Sequence, residues 1–314
     1  MKILVTGASG FIGQSLIKEL KIRNINFVGV VRQLSYPSLD ELIEVRDFAI
    51  PSIWQKPLIN CDVIIHLAAR AHVMYENSND SLDDFIQTNV EATLNLAREA
   101  VSAGVKRFIY VSSIGVHGDE TNQERLNELS PFNPCSSYGL SKKLAEQGLY
   151  ELCSKANLEL VIVRPPLVYG PNNPGNMLKL INLLNTSIPL PFGNIKNSRS
   201  FIYLGNLLDA LILCATHPKA SKQIYIVSDG EDISTTQLFE KIAFALNKQI
   251  CLFPIPLSAM RFFANIFKKT NHLNKLTQSL LVDSSKIRKE LDWHPPYTME
   301  QGLKITADWY KNKL

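Results

Sequence analysis

Tyr138 and Lys142, four residues apart in the sequence SYGLSKK, are the side chains whose types and spacing point most directly to chemistry. On a helix, residues at i and i+4 lie on one face, so the phenol and the ammonium group would be neighbours. A phenol with a pKa of about 10 is a poor base near neutral pH, and a neighbouring cation lowers that pKa by stabilising the phenolate. The pair predicts a proton-transfer residue, Tyr138, that is tuned by Lys142.

Two serines, Ser112 and Ser113, directly follow the apolar run Phe108–Val111. If that run is a parallel strand, its carboxyl end borders the crevice in which ligands bind. We therefore expect Ser113 to hold the reacting oxygen of a substrate, and Ser112 is the alternative. A Y-x-x-x-K pair arises often by chance on surface helices, but its combination with a serine-ended strand is harder to obtain by accident.

A glycine-rich segment, TGASGFIG at residues 6–13, directly follows the apolar run Ile3–Val5. In this setting glycines allow a tight turn, a close approach of the backbone to a pyrophosphate, and close packing of helix on strand. The helix that begins here supplies unpaired N–H groups and positive potential. The segment predicts a dinucleotide site rather than an ordinary turn, with binding residues Gly7, Ser9, Gly10, Phe11, Ile12 and Gly13.

The end of the second apolar run, Phe27–Val31, bears on which dinucleotide is bound. Sites for NAD usually place a carboxylate there to bind the ribose hydroxyls, whereas an arginine can pair with the 2′-phosphate of NADP. This sequence has Arg32 at that place, which favours NADP. The alternative is a solvent-exposed Arg32 with NAD as the cofactor, so the expected cofactor is NADP or NAD.

The elements that must position these residues follow from the hydrophobic pattern. Short apolar runs rich in β-branched residues alternate with helical patterns over the first two-thirds of the chain, which is typical of a parallel sheet covered on both faces. We predict an α/β fold, a doubly wound parallel sheet of the Rossmann type with a smaller C-terminal substrate-binding cap. The predicted domains are 1–165 for the dinucleotide and 166–314 for the substrate, interleaved because a strand near 223–228 rejoins the main sheet.

Composition excludes several classes of protein. The 314 residues are 46% hydrophobic and 20% charged with a net charge of +4 and no basic block, which argues against disorder and against nucleic-acid binding. Five cysteines without a C-x-x-C pair, and histidines without ligand spacing, predict reduced thiols and no metal site. The sequence shows neither a signal peptide nor a stretch of about 18 apolar residues, so we expect a cytoplasmic enzyme.

One stretch in the C-terminal part of the chain is amphipathic. Residues 257–269, LSAMRFFANIFKK, combine apolar side chains with a basic rim. Such a helix can lie on a membrane. We favour a helix that packs on the cap domain, and membrane contact is not expected.

Together these residues resemble the extended short-chain dehydrogenase/reductase family, in its UDP-glucose 4-epimerase-like branch. The resemblance covers nearly the whole chain and includes the glycine segment, HLAA at 66–69, YGLSK at 138–142, VYGP at 168–171 and LDW at 291–293. It implies that Ser113 is the catalytic hydroxyl, Tyr138 the proton-transfer residue and Lys142 the ribose-binding lysine. It also implies further cofactor-binding residues, namely Asp47 and Phe48 at the adenine, and Leu67, Ala68 and Ala69 beside the pyrophosphate and nicotinamide ribose.

The same resemblance implies a UDP-sugar substrate and a homodimer. In the substrate half, Asn176 is similar to an asparagine that contacts the nucleotide. Phe192 belongs to a segment similar to one that lies along the uracil, and Arg199 is similar to an arginine that binds the diphosphate.

Two departures from the branch influence the predicted reaction. Val31 stands where the NAD-retaining epimerases have an acid, and the segment 275–281 lacks their Arg-x-x-Asp pair. The chain resembles more closely a subgroup from polysaccharide gene clusters that acts on N-acetylated UDP-hexoses. We therefore expect reduction of a 4-keto-6-deoxy UDP-N-acetylhexosamine in surface-polysaccharide (O-antigen) biosynthesis. The alternatives are a UDP-glucose or UDP-N-acetylglucosamine 4-epimerase and, less favoured, a catalytically silent dinucleotide sensor.

Overall fold

A seven-stranded parallel sheet dominates the computed structural model, which describes residues 1–33, 41–48, 50–70, 82–122, 124–186 and 188–313. Its strands lie in the order β3-β2-β1-β4-β5-β6-β9. A smaller sheet has the order β10-β8-β7. The strands are β1 Lys2–Thr6, β2 Asn26–Val31, β3 Leu42–Glu44, β4 Val63–His66, β5 Arg107–Val111, β6 Glu159–Arg164, β7 Leu167–Tyr169, β8 Arg199–Tyr203, β9 Ile224–Ile226 and β10 Asp232–Ile233.

Helices cover both faces of the main sheet and build most of the C-terminal part. They are α1 Phe11–Ile22, α2 Leu82–Ile86, α3 Ala92–Ser102, α4 Ser137–Ser154, α5 Asn176–Leu184, α6 Leu204–Thr216, α7 Thr235–Leu246, α8 Leu257–Ile266, α9 Thr270–Thr277, α10 Ser285–Leu291 and α11 Met299–Lys311. A π-helical turn, Gln87–Glu91, joins α2 to α3. Short 3-10 helices span Pro51–Trp54, Ile114–Val116 and Pro218–Ala220.

Alternation along the buried strands produces two cores, one on each face of the sheet. Ile3 and Val5 of β1 pack in the core that contains α1 and α6. Leu4, between them, points to the opposite core, which contains residues of α3 and α4. Because both faces are covered, the strands are apolar throughout rather than alternating. The predicted α/β, doubly wound fold is confirmed.

The order of the strands reverses at β1, which lies between β2 and β4. In open parallel sheets such a switch point opens a crevice at the carboxyl ends of the strands, and ligands bind there. Both the glycine segment after β1 and Ser113 after β5 are at this edge.

The second half of the chain contributes to both sheets. Strand β9 pairs in parallel with β6, with Ile224 opposite Ile162. Strands β7, β8 and β10 form the smaller sheet, against which residues of α5, α7 and α11 pack in a third core. The division of the chain into domains at residue 165 stays a prediction. Among the described residues, we find no helix with the length and apolar character needed to cross a membrane.

A buried ion pair fixes α4 to the sheet. Arg164, the last residue of β6, donates from Nε to Oε1 of Glu146 at 3.0 Å, and its Nη2 bonds to Oε2 of the same carboxylate. Both side chains are almost fully buried. Arg164 Nη1 also lies 2.9 Å from Nε2 of His117. A two-pronged contact between fixed groups holds the helix in one position relative to the strand.

We expect Glu146→Gln to lower the free energy of unfolding by about 3 kcal/mol, because it leaves the Arg164 charge buried without its carboxylate. Urea unfolding measures this change. Glu151→Gln on the exposed side of the same helix is the matched control and should leave stability nearly unaltered. Similar losses in the two variants would contradict a structural role for the pair.

Candidate active site

The turn between β1 and α1 is shaped by contacts that exclude side chains. Gly7 has a φ of +69°, and a Cβ atom there would lie 2.8 Å from the backbone nitrogen of Ala68. At Gly13, in the first turn of α1, a Cβ would lie 2.1 Å from the carbonyl oxygen of Gly7. The backbone of the loop therefore stays uncovered and faces the crevice. This geometry fits a pyrophosphate, which needs bare backbone N–H groups at a helix N-terminus.

A cleft of about 640 Å³ lies over this loop. Most of the predicted cofactor residues line it, namely Gly7, Ser9, Gly10, Arg32, Asp47, Phe48, Leu67, Ala68 and Ala69. Phe11, Ile12 and Gly13 form the first turn of α1 instead, where Phe11 and Ile12 pack against the core. The size and the lining fit an extended dinucleotide. The binding roles of the individual residues stay predictions.

Several residues of the cleft were not predicted from the sequence: Arg46, Arg70, Gln87 and Thr88. Arg46 lines the cleft, as Arg32 does, and pairs with Glu44 at the end of β3. Its position directly before the predicted Asp47-Phe48 pair could have identified it as a cleft residue. Because Glu44 balances the Arg46 charge, the Arg32 guanidinium carries the preference for a ligand with an additional negative charge.

Helix α4 presents the predicted catalytic pair. It begins at Ser137, and Ser136 Oγ caps it by accepting a hydrogen bond from the Gly139 N–H at 3.1 Å. Tyr138 in the first turn is partly buried, whereas Lys142 one turn later is only 2% exposed. The Lys142 Nζ lies 4.3 Å from the ring centre of Tyr110 and 6.0 Å from that of Tyr138. The lysine charge thus faces two aromatic rings, a stabilising arrangement for a cation.

Ser113 follows β5 directly, and its Oγ accepts a hydrogen bond from the Gly115 N–H at 3.1 Å. A Cβ atom at Gly139 would lie 2.6 Å from the Gly115 carbonyl oxygen, so the turn after Ser113 touches the first turn of α4. The structure therefore brings Ser113 and Tyr138 to the same part of the crevice. Ser112 is buried, and its Oγ has no hydrogen-bond partner among the described residues.

Burial dominates the protonation of the pair. Desolvation raises the pKa of Tyr138 to about 12 and lowers the pKa of Lys142 to about 7. From the spacing we expected Lys142 to lower the pKa of Tyr138. In the protein itself, burial raises it instead. The reason is that desolvation disfavours the charged form of each group. Near neutral pH the phenol is protonated, which suits a proton donor.

A buried chain of hydrogen bonds joins the glycine loop to α3. Thr6 Oγ1 lies 2.8 Å from Nδ1 of His66, and His66 Nε2 lies 2.9 Å from Thr93 Oγ1. Thr93 donates its proton to the Asn89 carbonyl, so it accepts from His66 Nε2–H, and Nδ1 accepts from Thr6. Burial and the nearby Lys142 charge lower the pKa of His66 to about 3, which keeps the ring neutral, and the hydrogen bonds of Thr93 and Thr6 select this tautomer.

Asn89 extends this series of hydrogen bonds to α4. Its Nδ2 donates to Ser141 Oγ at 2.9 Å, and Ser141 donates to the Tyr138 carbonyl at 2.8 Å. Asn89 also bonds both backbone polar groups of Arg70, at 2.7 and 3.0 Å. It lies in the π-helical turn, a feature that is frequent at functional sites. Sequence reasoning did not predict this connection.

The predicted substrate residues lie in the C-terminal part. Arg199, at the start of β8, donates from Nη1 to the carbonyls of Lys275 and Gln278 at 3.0 and 3.1 Å. Phe192 stacks edge-on against Phe239 with ring centres 5.2 Å apart. Asn176 begins α5, but its side chain lies outside the described parts of the chain. Their contact with a nucleotide stays a prediction.

Residues of the C-terminal part contact the loop that follows Ser113. The Thr121 N–H donates to the Ser279 carbonyl at 2.8 Å, and Leu126 pairs with Val282. Arg199, bound to the neighbouring Gln278, is thereby held near the loop that follows Ser113. Within the described residues there is no cluster of side chains that would hold a metal ion.

Comparison with known proteins identifies the family of this chain. A family model described as the NAD dependent epimerase/dehydratase family matches residues 3–228. The chain is 39% identical over 313 residues to a UDP-glucose 4-epimerase of Vibrio cholerae, covering 97% of this chain and 94% of the relative.

Two further matches are more distant. An N-acetyl-alpha-D-glucosaminyl-diphospho-ditrans,octacis-undecaprenol 4-epimerase of Escherichia coli O157:H7 is 28% identical, with 98% of this chain and 94% of the relative covered. A solved UDP-glucose 4-epimerase of Thermotoga maritima with UDP-glucose superposes with a TM-score of 0.79 at 22% identity, covering 100% and 99% of the two chains. The structural match supports the fold.

The buried Lys142 makes the stability of this protein depend on pH. The folded chain releases the lysine proton near pH 7, whereas the unfolded chain holds it up to about pH 10, so the wild type gains stability as pH rises between these values. Lys142→Met has no proton to release. Its stability relative to wild type should therefore be highest at and below pH 7 and fall by about 1.4 kcal/mol per pH unit above it.

Urea unfolding from pH 6 to pH 9 measures this difference. Lys155→Met, at the exposed end of the same helix, is the control and should differ from wild type by a constant amount. A constant difference for Lys142→Met as well would show that Lys142 titrates normally in the folded protein.

Proposed function

The chain belongs to the NAD dependent epimerase/dehydratase family, and we propose that within it this protein transfers hydride at C4 of the hexose of a UDP-linked sugar. One observation carries the proposal. The almost fully buried Lys142 lies one helical turn from Tyr138, the adjacent Gly139 contacts the turn that follows Ser113, and hydrogen bonds join this helix to the cleft over the glycine loop. A sugar hydroxyl held there can lose its proton as hydride leaves its carbon, and a ketone oxygen can gain a proton as hydride reaches its carbon.

The roles of the residues follow from this arrangement. Nicotinamide supplies the acceptor or donor of hydride when the dinucleotide is bound. Gly7, Ser9 and Gly10 offer backbone N–H groups to the pyrophosphate, and Asp47 and Phe48 receive the adenine end. Ser113 orients the C4 oxygen by a hydrogen bond. Tyr138 gives the proton to that oxygen or takes it, and Lys142 binds the ribose while its charge favours the phenolate.

Substrate binding is proposed for the cap, residues 166–314. Arg199 would pair with the diphosphate through its guanidinium group, whose geometry matches phosphate oxygens. Phe192 would lie along the uracil, and Asn176 would contact the nucleotide.

For the net reaction we propose reduction of a 4-keto-6-deoxy UDP-N-acetylhexosamine to the 4-hydroxy sugar, in the synthesis of a surface polysaccharide. One feature supports this direction. Arg32 and Arg46 line the cleft over the glycine loop, where a guanidinium group suits the 2′-phosphate of NADPH.

C4 epimerisation is the second candidate, because the 39% identical relative is a UDP-glucose 4-epimerase and the 28% identical one is a 4-epimerase of a lipid-linked sugar. An epimerase removes hydride from C4, lets the ketone turn over and returns hydride to the other face. Both reactions need the same catalytic residues, so they differ in cofactor consumption rather than in the site.

Arg32→Ala should weaken NADPH binding by about tenfold to a hundredfold, because it removes a charge-assisted hydrogen bond to the 2′-phosphate. NADH binding should change little. Fluorescence titration of both cofactors measures the effect. Arg98→Ala, an exposed arginine on α3, is the control and should alter neither affinity. Equal losses of NADPH and NADH binding in the Arg32 variant would show that this side chain has a structural role.

The reaction itself is tested by cofactor consumption. With the 4-keto-6-deoxy UDP-N-acetylhexosamine, the protein should oxidise one NAD(P)H per molecule of product, measured at the absorbance band of reduced nicotinamide. UDP-galactose and UDP-N-acetylglucosamine should form their C4 epimers slowly or not at all. Rapid epimer formation without added cofactor would instead establish the epimerase.

Variants of α4 separate chemistry from binding in the same assay. Tyr138→Phe should lower turnover by at least about a hundredfold, since it removes the proton-transfer group, while cofactor affinity is kept. Tyr150→Phe, at an exposed position of the same helix, should behave as wild type. Near-normal turnover of the Tyr138 variant would refute the catalytic assignment under either reaction.

A further inference from the structure

Helix α8 is apolar on two opposite faces. One face carries Leu257, Met260 and Ala264, which pack with Ile195 and Leu273 into a small core of the C-terminal part. This contact agrees with the expectation that the stretch 257–269 packs on the cap. It accounts for only half of the apolar side chains of the helix.

The opposite face is exposed. Phe262 and Phe263 are 63% and 55% exposed, and Ile266 and Phe267 are 58% and 69% exposed. The rings of Phe262 and Phe263 contact one another, with centres 5.6 Å apart. Single exposed apolar residues are ordinary, but four within the stretch 262–267 at the end of α8 mark an interaction surface.

The charges around this face have one sign. Residues 241–282 contain no Asp or Glu, and they contain six basic residues: Lys241, Lys248, Arg261, Lys268, Lys269 and Lys275. Of these, Arg261, Lys268 and Lys269 are exposed within α8 or directly after it. An apolar face with cations on it, in a segment of the chain that has no acidic residue, is complementary to a surface that is apolar beneath a negatively charged layer.

We propose that α8 docks this protein on an anionic lipid bilayer, with Phe262, Phe263, Ile266 and Phe267 inserted at the level of the headgroups and Arg261, Lys268 and Lys269 bound to lipid phosphates. A second copy of the chain fits this face less well, because a symmetric interface would bring the two cationic rims together. A bilayer supplies both the apolar layer and the opposite charge.

Docking would bring the substrate half of the molecule close to the lipid. The packed face of α8 shares its core with Phe192, and α9, the next helix, contains Lys275, whose carbonyl accepts from Arg199. The inference does not depend on which C4 reaction the enzyme catalyses, and vesicle binding can be measured without turnover.

Flotation with vesicles tests the proposal. The wild-type protein should float with vesicles of phosphatidylglycerol and phosphatidylethanolamine, bind vesicles of pure phosphatidylcholine at least about tenfold more weakly, and be released by high salt. The double variants Phe263→Ser/Phe267→Ser and Lys268→Gln/Lys269→Gln should each lower binding to the anionic vesicles by about tenfold or more.

Matched controls lie elsewhere on the surface. Phe244→Ser on α7, where the side chain is 72% exposed, and Lys304→Gln on α11 should leave vesicle binding unchanged. All variants should keep wild-type affinity for the dinucleotide, which shows that they are folded, because none lies in the cleft.

Three results would overturn the proposal: no binding to anionic vesicles, equal binding to anionic and neutral vesicles, or binding that neither double variant reduces. Analytical ultracentrifugation identifies the competing occupant. A wild-type dimer that the Phe263→Ser/Phe267→Ser variant converts to monomer, with no vesicle binding by either, would show that α8 is an interface between copies of the chain.

Discussion

The burial of the Lys142 ammonium group beside Tyr138 is the interaction on which the proposed activity depends. A buried cation is costly, and here it faces the rings of Tyr110 and Tyr138 at the end of the parallel sheet. Its position requires that α4 cannot shift. The Arg164–Glu146 ion pair holds the middle of the helix, and the contact between Gly139 and Gly115 leaves no room at its start.

A neutral histidine makes the second connection. His66 relays hydrogen bonds from Thr6, under the glycine loop, to Thr93, and Asn89 continues them to α4. A protonated His66 would have two donors and could not accept from Thr6. The Lys142 charge and the burial of the ring both oppose that protonation. The cation of the catalytic pair therefore helps to preserve the network that joins its helix to the cofactor cleft.

The sequence predicted the features that depend on local spacing. The strand–turn–helix setting of the glycine segment and the i, i+4 spacing of Tyr138 and Lys142 are local, and the structure has both. Contacts between distant residues were not predictable: Asn89 meets Ser141 across 52 positions, and Arg46 reaches the cleft from β3 by the pairing of strands. The burial that raises the pKa of Tyr138 was not predictable either, since spacing gives the neighbouring charge but not the burial. Periodicity likewise did not reveal that α8 has two apolar faces.

The proposed direction of reaction is set far from the carbon that reacts. Ser113, Tyr138 and Lys142 suit both net reduction and epimerisation, because each reaction moves a hydride at C4 and a proton at its oxygen. What differs is whether the oxidised cofactor leaves. Arg32 and Arg46 line the cleft, and the preference for NADPH proposed for this end would link the enzyme to a pool that is renewed elsewhere. Under the proposed reduction, the choice between the two reactions therefore depends on the exchange of the cofactor, and the same residues around the sugar would serve both.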